Sequence, residues 1–90
     1  MDENLKERTE KEINMMKSVF SGLKIKEKSK LEEDFFSMAS NYFKDSEFFL
    51  RKNDYIRAFE SIVISWSYID AGIKSGFFSV GDNLKEYFTS

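Results

Sequence analysis

Three observations predict an all-α fold, a three-helix bundle. Apolar residues recur at three- and four-residue steps along three long segments. The 90-residue chain has no proline and four glycines, so little interrupts those segments. Aromatic residues make up 17% of it, with ten Phe, four Tyr and one Trp. A chain this short buries only about 60% of its unfolded surface. Each buried ring removes roughly 150–250 Å² from water, so a few rings can hold a small core together. The chain is read as a single helical domain over residues 1–90.

Helix one is predicted over about residues 2–23, with Leu5, Ile13, Met16, Val19, Phe20 and Leu23 on its apolar face. Its first two turns are nearly all charge and should fray or lean on another element. Lys24 to Lys30 holds four lysines and one apolar residue and reads as a connection.

Helix two is predicted over about residues 30–52, started by a capping box of Ser29 and Glu32. Leu31, Phe35, Met38, Tyr42 and Phe49 form one stripe. Phe36, Phe43 and Leu50 form a second, and Ala39 and Ser46 lie beside them. A face that wide can touch two neighbours. In the break after it, Asn53 suits a left-handed C′ position and Asp54 suits an N-cap. So short a turn makes helices two and three an αα-hairpin.

Helix three is predicted over about residues 54–75, with a stripe of Tyr55, Phe59, Ile62, Trp66, Ile69 and Ile73, widened by Ala58 and Val63. It carries the least charge and should be central. Gly76 is the expected C-cap glycine. Gly72, inside the helix, costs about 1 kcal/mol against Ala, and a close helix crossing would explain it. The tail, residues 76–90, is apolar and should fold back on the bundle or dock on another chain.

Composition narrows the functions. The chain has no His and no Cys, which removes the usual general base, thiolate metal sites and a cysteine nucleophile. No cofactor or metal is expected, and the chain reads as not an enzyme. The formal charge of −2 makes nucleic acid an unlikely partner. The N-terminus has no apolar h-region, and the uncharged stretch Ser61 to Ile69 is far shorter than the ~20 residues a bilayer requires. A soluble, cytoplasmic protein without membrane contact is expected.

Candidate interaction residues are Ile64, Tyr68, Phe77, Phe78, Tyr87 and Phe88, aromatics and an aliphatic beyond what the core stripe needs. Either the tail covers Ile64 and Tyr68 or a second subunit does, and a homodimer is the sharper expectation. Asp70 lies at the edge of the apolar face. It should be paired with a Tyr hydroxyl, a backbone end or an Arg, or else contact a ligand. Asp45 reads as part of a solvated charged face. Lys24, Lys26, Lys28 and Lys30 could touch phosphates with Arg51 and Arg57, giving the alternative reading of a weak nucleic-acid or nucleotide-binding domain.

The stretch Tyr42 to Phe78 resembles the archaeal domain-of-unknown-function family 357. The motifs are Tyr42-Phe43, Asp45-Ser46, Phe49-Leu50, Asn53-Asp54-Tyr55, Arg57-Ala58-Phe59, Ile69-Asp70-Ala71-Gly72 and Gly76-Phe77-Phe78. Ser46, Asn53, Ile69 and Phe77 depart from its Ala, Gly, Leu and Leu. The resemblance implies an archaeal source and a small helical bundle, and no assigned activity. It singles out Asp45, Arg57 and Asp70 as a candidate polar site. The hairpin also looks loosely like tetratricopeptide units, and like helical nucleotide-handling domains that use an Arg and a His on RNA. That activity does not carry over to a chain without His. A non-catalytic protein-interaction or self-association module is the leading expectation, its protein partner unknown.

Overall fold

A computed structural model describes residues 2–88, with side chains from Asn4 onward. Three helices, α1 (Asp2–Gly22), α2 (Lys30–Arg51) and α3 (Tyr55–Lys74), form an all-α bundle. Two short strands, β1 (Lys24–Ile25) and β2 (Phe78–Ser79), and a 3-10 helix (Asp82–Phe88) complete it. The helix α3 touches both other helices, most extensively α2.

Local chemistry sets the helix ends. Ser29 caps α2 through its hydroxyl, which accepts from the Glu32 N–H at 3.1 Å. The other half of the capping box does not form, and Glu32 is only 3% exposed. Asn53 adopts φ 60°, and the α2 end closes as a Schellman motif. The Asp54 N–H donates to the Phe49 carbonyl at 2.9 Å and the Asn53 N–H to the Leu50 carbonyl at 3.0 Å. Asp54 then caps α3 by accepting from the Arg57 N–H at 3.2 Å. The α3 end repeats the motif at Gly76, φ 82°. There the Phe77 N–H reaches the Gly72 carbonyl at 2.8 Å.

The hairpin packs on small residues. Buried Glu32, Ala39 and Ser46 lie seven residues apart along α2. Ala58, Ser61, Ile62, Ser65, Ile69 and Gly72 are the buried residues of α3. Small side chains let the two backbones approach, and the Ser65 hydroxyl donates across the seam to the Ala39 carbonyl at 2.7 Å. The aromatic stripes therefore flank the buried line instead of forming it. One flank of α2 meets α1, where Phe20 packs edge-on against Phe36 and Phe43 at centroid distances of 6.0 and 5.3 Å. The other meets α3, where Tyr68 lies 5.9 Å from Phe35 and stacks on Tyr42 at 6.3 Å. On α3, Val63 is exposed and Phe59 half-buried, because the helix turns its small residues inward.

Two expectations need correction, and of the two outcomes open to the tail the structure takes the first. Lys24 to Lys30 is more than a connection. Lys24 pairs with Ser79 and Ile25 with Phe78 in an antiparallel ladder, and the Lys26 N–H extends it to the Phe77 carbonyl at 2.8 Å. Gly72 marks no helix crossing: a Cβ there would overlap the Phe78 ring. The tail packs on its own chain, with Phe77, Phe78, Val80, Leu84 and Phe88 in the core cluster. The charged start of α1 leans on the bundle through Thr9, which is fully buried and donates to the Leu5 carbonyl at 2.7 Å.

Candidate functional site

The six candidate interaction residues separate by burial. Phe77, Phe78 and Phe88 are core residues. Phe77 packs edge-on against Phe35 at 5.6 Å, and Phe88 stacks on Trp66 at 5.7 Å and 3°. Large apolar rings at the end of a small bundle are drawn into its core, so these three present no surface to a partner. Ile64 is 38% exposed and Tyr87 41%. Tyr68 is half-buried between Phe35 and Tyr42.

Ile64 shares a shallow groove with Phe49, Arg57 and Val63, Tyr68 stacks on Tyr42, and Met38 is exposed one turn before Tyr42 on α2. The tail touches this side of the hairpin only through Phe77, which packs on Phe35, and leaves Ile64 exposed. Its 3-10 helix lies by α1 and α3, where the Trp66 indole N–H donates to the Tyr87 carbonyl at 2.9 Å and Leu84 borders Gly22. The open face of the hairpin is thus a row of rings and aliphatics with Asp45 and Arg57 at its margin.

The three candidate polar residues do not converge. Arg57 and Asp70 lie thirteen residues apart on one helix, about 20 Å. Arg57 pairs with Asp54 at 3.6 Å and holds its guanidinium 5.8 Å from the centre of the Phe49 ring. Asp70 takes neither a Tyr, a backbone end nor an Arg. Lys74, one turn on, donates to both its oxygens at 2.9 and 2.7 Å. Asp45 is exposed, as a solvated face requires. Among the described residues, no three Asp or Glu side chains converge as metal ligands would.

The basic groups are also apart. Lys30 opens α2 and Arg51 closes it, a separation of about 30 Å. Lys30 is engaged with Asp34 at 3.1 Å. That hydrogen bond, and then the Asp34 charge, raise the Lys30 pKa above its ordinary value.

A second feature of the fold leaves no mark in the sequence. Between α1, α3 and the tail lies a cleft of about 280 Å³, walled by Met15, Met16, Ile62, Val63, Trp66 and Tyr87, with Glu12 beside them. Glu12, Met15 and Met16 share one face of α1 by their spacing. Ile62, Val63 and Trp66 of α3 form the opposite wall, and the tail closes one side with Tyr87, which no local pattern announces.

The fold defines a small helical bundle built on a tight αα-hairpin. The chain belongs to the family described as a protein of unknown function, DUF357, whose model matches residues 4–78. It is similar in structure to protein AF1782 from the archaeon Archaeoglobus fulgidus, also assigned to DUF357. The two share 26% identity, with 89% of this chain and 97% of that one covered and a TM-score of 0.76. No curated protein matches the chain significantly. Among the described residues, no helix is long and apolar enough to cross a membrane.

Proposed function

We propose that this DUF357 chain is a non-catalytic self-association module that pairs with a second copy through the open face of the α2–α3 hairpin. The observation that carries this reading is Ile64, an aliphatic left 38% exposed in the middle of α3. The tail, which could have covered it, spends its rings elsewhere. Phe49 lies across the same groove as Ile64, and Tyr68, one turn on, stacks on Tyr42, giving an apolar surface of the kind that marks interaction sites. At 1.5 Å per residue the hairpin face is about 30 Å long, and two packed helices make it about 20 Å wide. That scale is comparable to the roughly 800 Å² per partner of a stable interface. Closed twofold pairing is the commonest way to bury such a face. The absence of His and Cys from the sequence supports a role without catalysis, and a reducing cytoplasmic setting suits it.

Proton NMR on dilution tests this reading. The Tyr42 and Tyr68 ring signals should move with protein concentration while the Trp66 indole signal stays fixed. Ring signals that are independent of concentration would overturn it.

A further inference from the structure

We infer that the cleft between α1, α3 and the tail is a binding site for a small organic cation with an apolar body. Its volume, about 280 Å³, is about twice that of the ~150 Å³ engineered cavity that takes up benzene. It therefore suits a body of roughly ten carbons. Small-molecule sites favour such places between helices, mostly apolar with a few placed polar groups.

The polar groups decide the ligand class. Trp66 already spends its indole N–H on the Tyr87 carbonyl, so that donor is not available to a ligand. Glu12 supplies the only charge among the lining residues. Its nearest cation, the exposed Arg8, stands at 4.0 Å. An exposed pair at that distance is weak and yields to a closer partner. A carboxylate beside Met, Ile, Val and two aromatic rings complements an ammonium on a hydrophobic body. Aromatic walls add cation–π attraction. An anion would meet Glu12 unfavourably, and a neutral molecule would leave its charge unanswered.

The cleft shares one wall residue, Val63, with the groove that holds Ile64, but Glu12 lies outside that groove, so the charge preference does not depend on self-association. Trp66, the chain's single tryptophan, lines the cleft and reports on it. The test titrates the full-length chain with 4-phenylbutylammonium, 4-phenylbutanol and 4-phenylbutyrate, following Trp66 emission. The ammonium should give a saturable change about tenfold tighter than the alcohol, with the carboxylate weakest. Glu12→Gln should erase the preference for ammonium over alcohol while circular dichroism and Tm stay unchanged. Val63→Phe, at a partly exposed wall, should fill the cleft and abolish binding of all three. No saturable change in the wild-type chain, equal affinity for all three probes, or a preference that survives Glu12→Gln would each overturn the assignment.

Discussion

The Phe78 ring occupies the space where a side chain on Gly72 would begin. Gly72 lies near the end of α3 and Phe78 in β2, so this contact fastens the tail to the hairpin. Phe78 in turn packs against Phe36 at 6.3 Å and pairs through its backbone with Ile25. One glycine thus joins α2, α3 and both strands.

Gly72→Ala should destabilise the chain. Displacing the ring costs about 1–3 kcal/mol as overpacking, against about 1 kcal/mol gained in helix propensity. Urea unfolding should show a net loss of up to about 2 kcal/mol. Adding Phe78→Leu should cost less than the two changes summed, since they share one contact.

The helix seam makes a second prediction. Ser65→Ala removes the hydroxyl that donates to Ala39 and should lower stability by about 1 kcal/mol. Ser65→Leu should cost more, because the seam has no room for the added carbons. A Leu variant as stable as wild type in thermal unfolding would show that the seam is looser than described.

The hairpin turn should discriminate among residues at position 53. Asn53 holds φ 60°, so Asn53→Ala should cost about 1 kcal/mol. Asn53→Gly, which meets no steric penalty there, should match or exceed wild type. Equilibrium denaturation of the three chains gives the ranking.

The tail has its own reporter in Trp66. Phe88→Ala removes a buried ring stacked on the indole and should cost about 3 kcal/mol, with red-shifted Trp66 emission as water reaches the ring. Trp66→Phe keeps a ring but loses the bond to Tyr87, and should cost about 1 kcal/mol. Stability unchanged in both variants would contradict the docking of the tail.

Local chemistry was legible in the sequence and non-local packing was not. Ser29, Asn53, Asp54 and Gly76 announce helix ends because a cap is made by residues a few positions apart. The three apolar periods likewise announce an all-α fold. The centre of the hairpin stayed hidden because it is small and partly polar: Ala39, Ser46, Ser61 and Ser65 add little to a hydrophobic period, whereas the rings beside them dominate it. Two-residue strands carry no period at all, so the pairing of Lys24–Ile25 with Phe78–Ser79 could not be read. The surplus of rings was visible, but whether Phe77 and Phe88 face the core or a partner depends on how the chain turns at Gly76 and Gly81. Asp70 and Lys74 were within reach, being one helical turn apart.

Sedimentation equilibrium of the wild-type chain beside Ile64→Lys, from micromolar to millimolar concentration, decides whether the hairpin face self-associates. If the face pairs two copies, the wild-type mass rises to twice the monomer value, and Ile64→Lys stays a monomer at every concentration with its circular dichroism unchanged. A wild-type chain that stays monomeric at millimolar concentration, or a Lys variant that dimerises equally well, would contradict that pairing.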